Sequence, residues 1–266
     1  VALHRRPRES TRRDDPPPAR VPLIWRLMLW VDRWFVAIVG RVEVTGSVPA
    51  PLRGAALLLA PNHIGVFDPM VLMSACHRIN IAPRFMLAGG LIDAPVLGWA
   101  LRNAGHLRVD RGKTNVVEAF GRAVAALRAS AAPLLVYPEG RISHDPGLWP
   151  ERGKTGVARI ALAADVPVVP VSQWGAHEAA WWGTERVQGW ADIRPVVLSW
   201  FRAVRRRPVF RVHFGDPVDL SGLRADKPGD AVRAHQRIMR AITAGLVTLR
   251  VDEPDLPRFH DPTRPT

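Results

Sequence analysis

What most restricts the fold of this chain is the way its apolar runs end. Residues 55–60 and 134–137 are short, uncharged and apolar, and each is closed by a proline and followed at once by polar, chemically active side chains. Runs of this length read as strands cut off by turn-forming residues. Further strand-like runs fall at 41–45, 84–87, 105–109, 167–172 and 208–214, alternating with stretches of helical period at 69–78, 115–129, 153–164 and 229–249. The alternation predicts an α/β fold, a single domain over 41–250 with a mixed, mostly parallel sheet flanked by helices. The stretch 175–207, with Trp181, Trp182, Trp190 and Trp200 among several arginines, shows no clear period and stays unassigned.

The 266 residues, 47% of them hydrophobic, suffice for one sizeable core with extensions. Residues 1–20 carry six arginines, three acids and three consecutive prolines with almost nothing to bury, and are expected to be a disordered basic tail. Residues 251–266 are proline-punctuated and expected to be irregular. In 21–40, Leu27, Met28, Val31, Trp34, Phe35 and Ile38 are placed on one side of a helix and Arg26, Trp30 and Arg33 on the other. Arg26, Asp32 and Arg33 interrupt the run, which favours a helix lying in a membrane interface over one crossing it. A helix packed on the core is the alternative; three tryptophans in ten residues favour the interface.

Lysine and arginine total 37 against 24 acids, a formal charge of +13, which suits a polyanionic partner, either nucleic acid or an anionic membrane leaflet. Cys76 is the single cysteine, so no internal disulfide forms, and a buried thiol in a cytosolic setting is expected. No secretory signal pattern follows Val1, so export is not expected.

The chemistry concentrates at the two interrupted strands. Asn62-His63-Ile64-Gly65-Val66-Phe67-Asp68-Pro69 stands where the 55–60 run gives way to a helix, the position where sites collect in α/β sheets. Asp68 before Pro69 reads as a helix N-cap. The same carboxylate could instead hold one imidazole nitrogen of His63 and leave the other free as a general base. Leu134-Leu135-Val136-Tyr137-Pro138-Glu139-Gly140 ends in a tight turn that could offer N–H groups and a carboxylate to a polar ligand, or be a plain surface turn. In Gly105-His106-Leu107-Arg108-Val109-Asp110-Arg111-Gly112-Lys113, Arg111 and Lys113 could hold a phosphate; a solvated basic loop is the alternative.

These residues resemble the glycerolipid acyltransferase family, typified by bacterial lysophosphatidate (1-acylglycerol-3-phosphate) acyltransferases. Four blocks fall in family order across 57–171: Asn62, His63 and Asp68; Gly105 to Arg111; Tyr137 to Gly140; and Val-Pro-Val-Val-Pro-Val from Val166. The resemblance implies that His63 is the base and Asp68 its orienting partner. It implies that Asn62, Arg111, Glu139, Gly140 and Arg141 bind substrate, with Lys113 and Lys154 beside them, and that Val166, Pro167 and Pro170 shape the acyl site. Where the family usually continues Glu-Gly-Thr-Arg, this chain reads Glu139-Gly140-Arg141-Ile142, so a hydroxyl is missing and the arginine is shifted by one place. Ala88, Gly89 and Gly90 stand near the place of a lysine common in the family.

The implied reaction moves a fatty acyl group from acyl-CoA or acyl carrier protein to a hydroxyl of a glycerol-phosphate lipid precursor, without a cofactor or metal, at the cytoplasmic face of an anionic membrane. The foremost acceptor is the lysophospholipid 1-acylglycerol-3-phosphate, giving phosphatidic acid, with glycerol 3-phosphate or another lysolipid as the alternative acceptor. Other chemistries fit less well. None of the eight serines lies in Gly-x-Ser-x-Gly, the two Gly-Lys-Thr triplets lack the earlier glycine of a P-loop, and no His-x-x-x-His exists. His144-Asp145 and His177-Glu178 read as solvated loop residues. A non-enzymatic basic binding protein explains the charge but not why both motifs end apolar strands, and nucleic acid is not the expected partner.

Overall fold

The structure, a computed structural model, describes residues 20–110, 113–183 and 189–264, the side chains of 113–115 excepted. Residues 1–19 of the expected tail over 1–20, the proposed phosphate ligand Arg111 and the side chain of Lys113 therefore lie outside the described residues. Seven strands form one sheet: β1 (Arg41–Gly46), β2 (Leu58–Pro61), β3 (Arg84–Ala88), β4 (Leu107–Val109), β5 (Leu134–Leu135), β6 (Val168–Trp174) and β7 (Val209–Phe214), in the order β1-β7-β6-β2-β5-β3-β4. Every neighbouring pair is parallel except β6 and β7. This is the mixed, mostly parallel α/β sheet that the alternation predicts. β2 lies at its centre and is buried along its whole length, as a strand covered on both faces must be.

The alternation of side chains along β2 splits the core into two layers. Leu57 and Leu59 pack toward α1 (Leu23–Val39) and α2 (Asp68–Arg78). Leu58 and Ala60 face the side covered by α5 (Lys113–Ala129), α6 (Gly156–Ala164) and α8 (Asp230–Leu249). Complete burial of each such leucine stabilises the fold by roughly 1.5–3 kcal/mol. In α8 the buried Ala234, Ile238, Ile242 and Leu246 recur every fourth residue, the stripe that a helix needs to lie on a sheet.

Three helices were not visible in the sequence. α3 (Gly89–Asp93) is a single turn, and α4 (Pro95–Asn103) buries only Gly98 and Leu101 while Val96, Leu97 and Trp99 face outward, which erases the apolar period. α7 (Trp190–Arg206) contains Pro195, which ordinarily argues against a helix interior.

The reading of α1 needs correction. The helix buries Trp25, Leu29, Asp32, Val36 and Val39 on the core, a stripe that the sequence reading did not assign. Leu27, Val31, Trp34 and Ile38 are exposed as a second stripe, and Trp30 belongs with them rather than opposite, its ring 6.2 Å from that of Trp34. Phe35 lies between the two stripes and stacks on Trp200 of α7. Core packing and an outward apolar face, posed as alternatives, coexist on one helix. No helix among the described residues is long and apolar enough to cross a membrane. Within the packed stripe both Asp32 oxygens lack a hydrogen-bond partner among the described residues, and burial pushes this carboxyl up to about 8.

Candidate active site

β2 ends at Pro61, and the chain is then clasped to the end of β6. Gln173 N donates to Asn62 Oδ1 (2.8 Å), Asn62 Nδ2 donates to Gln173 O (3.1 Å), and Gln173 Nε2 donates to Asn62 O (2.8 Å). Asn62 is fully buried, so its expected place among the substrate ligands is corrected: it ties two strands together.

His63 follows, its side chain part-exposed above the sheet. His63 Nδ1 lies 2.7 Å from Asp68 Oδ2, which also accepts the N–H groups of Ile64 (2.6 Å) and Gly65 (3.0 Å). The N-cap reading of Asp68 is thereby corrected. α2 begins at Asp68 itself, Phe67 occupies the cap position without a side-chain bond, and the carboxylate turns backward to organise residues 63–65. A carboxylate can only accept, so Nδ1 carries the proton and the lone pair is left on Nε2, which meets no partner among the described residues. Space at Gly65 is tight: a Cβ there would lie 3.3 Å from the His177 Cα, so the facing backbone would have to give by a few tenths of an ångström.

The second motif holds His63 by its backbone. Glu139 Oε1 accepts His63 N (2.8 Å), and Ser143 N donates to His63 O (2.7 Å). The other Glu139 oxygen accepts Glu151 N (3.0 Å). Glu139 is buried and its oxygens face inward, so the expected substrate contact is replaced by a positioning role. Burial raises its carboxyl to about 7, against the two N–H donors that favour the charge. Gly140 turns the chain at φ +69°, and Arg141 is held in a two-pronged pair by Glu151 (2.9 and 3.0 Å). Lys154 donates its backbone N–H to Pro138 O (2.9 Å) and leaves its side chain exposed.

Two contacts were not legible in the motifs. The Tyr137 ring stacks on the His63 imidazole, centroids 3.9 Å apart and planes within 17°. An aromatic directly before Pro-Glu-Gly was the only signal for it. From the far end of the chain, Arg264 donates to Ser143 O (2.7 Å) and to Ile64 O, bracing both loops. His177, read as solvated, is buried beside Trp174 and Phe259, and burial lowers it to about 3. His106 is also structural, accepting Phe85 N at 2.9 Å and standing edge-on to Trp25. No group of three potential ligands among the described residues could hold a metal.

The fourth block is corrected. β6 runs parallel to β2 with Leu58 opposite Val168 and Pro61 opposite Val171, so Val166 and Pro167 precede the strand at the end remote from His63. Pro170 is buried within β6 opposite Ala60. None of the three lines the apolar cleft beside the site. That cleft, of about 530 Å³, opens between α5 and α6; Val116, Phe120, Val136, Gly140 and Lys154 line it, and Tyr137 separates it from His63.

The site is thus a histidine at the carboxyl end of a central parallel strand, oriented by a buried carboxylate, with an apolar cleft alongside on an α/β scaffold. The model of the Acyltransferase family matches residues 41–174, 134 of the 266, and the chain belongs to that family. An uncharacterized protein of Mycobacterium tuberculosis is 33% identical over 162 residues, 57% of this chain and 41% of the relative. A 1-acyl-sn-glycerol-3-phosphate acyltransferase of Limnanthes douglasii is 26% identical over 195 residues, covering 72% of this chain and 59% of the plant protein. The chain thus spans about two fifths of the length of the mycobacterial relative. The crystal structure of the 1-acyl-sn-glycerophosphate acyltransferase PlsC from Thermotoga maritima shares the fold, with a TM-score of 0.59, 18% identity, and coverage of 85% of this chain and 81% of that one.

Proposed function

We propose that this chain transfers a fatty acyl group from acyl-CoA or acyl carrier protein to the free hydroxyl of 1-acylglycerol-3-phosphate, giving phosphatidic acid. The observation that carries the reading is His63, its Nδ1 fixed by Asp68, its Nε2 free, and its ring stacked on the Tyr137 that lines an apolar cleft. Nε2 takes the acceptor's proton, the oxygen attacks the thioester carbonyl, and the tetrahedral intermediate collapses with cleavage of the C–S bond. The thiolate leaves with the proton returned by the imidazolium, so the base is regenerated and no cofactor is consumed. The apolar cleft suits an acyl chain, and Lys154 at its rim suits an anionic substrate group, a role the resemblance also gives to Arg111 and Lys113.

The reaction is placed at the cytoplasmic face of an anionic membrane, with the protein lying on it. Support comes from the exposed Leu23, Leu27, Trp30, Trp34 and Ile38 of α1 and from Trp190, Ile193, Leu198 and Phe201 of the adjoining α7, a combination of indole rings, aliphatic side chains and arginines that suits the headgroup region. The test is thiol release from acyl-CoA and from acyl carrier protein, with lysophosphatidate, glycerol 3-phosphate and other lysolipids supplied in turn and the product identified by mass. Release that is indifferent to every acceptor would make the chain a thioesterase and end the proposal.

A further inference from the structure

A second cleft, also of about 530 Å³, lies outside the catalytic site and is unusual in its charge. Arg33 of α1, Arg41 at the start of β1, Arg78 in the last turn of α2 and Arg207 after α7 all line it, with Trp34 at its side. Counter-charge is sparse. Among the described residues the one ion pair of these four is Arg41 with Glu43, at 3.1 Å, and Arg33 and Arg78 have no hydrogen-bonded partner. The plain alternative is that the arginines serve helix ends: Arg207 donates to Ala37 O near the end of α1, and Arg78 sits at the end of α2. Each helix end supplies only about half a negative charge. Four guanidinium groups against one carboxylate and three such ends, those of α1, α2 and α7, leave an excess of roughly one and a half positive charges.

Guanidinium groups prefer phosphoryl oxygens, which they hold in directional pairs. We infer that this cleft is a second anion site, which takes the phosphoryl group of an anionic lipid headgroup. Trp34 belongs both to the cleft and to the exposed stripe of α1, so a lipid whose headgroup fills the cleft leaves its chains beside the apolar face. The cleft is separate from the chemistry: along α2, Arg78 is about 15 Å from Asp68. The inference rests on the bilayer reading above and adds to it one fixed point of attachment.

The experiment is vesicle co-sedimentation at constant ionic strength, using phosphatidylcholine alone and phosphatidylcholine doped with phosphatidylglycerol. Wild type is compared with Arg33→Gln/Arg78→Gln and with a charge-matched control, Arg128→Gln/Arg240→Gln, on the opposite layer. Calorimetric titration with inorganic phosphate runs in parallel. The expected result is a roughly 30-fold loss of the phosphatidylglycerol-dependent affinity in the cleft variant, a much smaller loss in the control, unchanged binding to pure phosphatidylcholine, and no heat from inorganic phosphate. Equal losses in both variants would reduce the arginines to a diffuse surface field and overturn the site. Phosphate heat that disappears in the cleft variant, with vesicle binding unchanged, would make the ligand a free anion and overturn the lipid assignment. If wild type binds neither vesicle, the bilayer reading fails and this inference falls with it.

Discussion

Asp32 offers the sharpest quantitative test of how α1 is held. It is 5% exposed, neither oxygen has a partner among the described residues, and burial moves its carboxyl from 3.8 to about 8. At pH 7 the folded chain therefore holds a proton there that the unfolded chain has released. The folded state binds more protons, so stability falls as pH rises, by about 1.4 kcal/mol per pH unit from the unfolded value up to the folded one. Over about four pH units the cost approaches 6 kcal/mol. Local release of α1 limits it, because the helix can lift away once its docking free energy is smaller than the cost of ionising Asp32 in place. Asp32→Asn keeps the shape and never ionises. The variant should match wild type near pH 4 and gain steadily to about 3–6 kcal/mol at pH 8 and above, read from urea unfolding across that range. A stability difference that does not change with pH would refute the reasoning, since it would mean that Asp32 ionises equally in both states.

Loss of the base in His63→Ala should lower transfer by at least about 10²–10⁴-fold with circular dichroism unchanged, whereas Asp68→Asn should cost both rate and about 1–3 kcal/mol, because it disturbs an oxygen that accepts three donors. Glu139→Gln should reduce kcat while leaving the acceptor KM within about twofold, the pattern of a residue acting through the backbone of His63; a rise confined to acceptor KM would put Glu139 against substrate. For Arg111→Ala the acceptor KM should rise far more than the donor KM in steady-state kinetics, the reverse assigning Arg111 to the donor. Arg264→Ala should lower kcat and increase hydrogen exchange at residues 64 and 143, and unchanged exchange there would show that the brace is dispensable.

The strands were legible because proline and glycine punctuate them and because an apolar run of four to six residues has few other uses. α4 and α7 were not, since both turn apolar side chains outward and both contain residues that ordinarily oppose a helix interior, Gly98 and Pro195. At the site, the motifs singled out the His63–Asp68 pair that the structure brings together, but not what each polar atom around it bonds. Asn62 and Glu139 are residue types that bind substrates as readily as they bind backbone, and only the packing of β6 and of 139–151 against 62–63 decides for backbone. Val166 and Pro167 were misplaced for a topological reason. Their strand was correctly expected, but which of its ends lies near His63 depends on the direction in which β6 pairs with β2.

The bond pattern between Asn62 and Gln173 has an evolutionary consequence. The Asn62 side chain bonds both backbone groups of Gln173, and the Gln173 side chain bonds the Asn62 carbonyl, so each side chain serves main chain 111 residues away. Replacing Asn62 by an apolar residue strands the N–H and C=O of Gln173, main-chain groups that a change of side chain at 173 does not remove. Position 62 should therefore resist change whatever stands at 173, while position 173, whose side chain serves a single carbonyl, should be the more tolerant. A library that randomises position 62 should return active chains that carry almost only asparagine there, whereas one that randomises 173 should return several residue types.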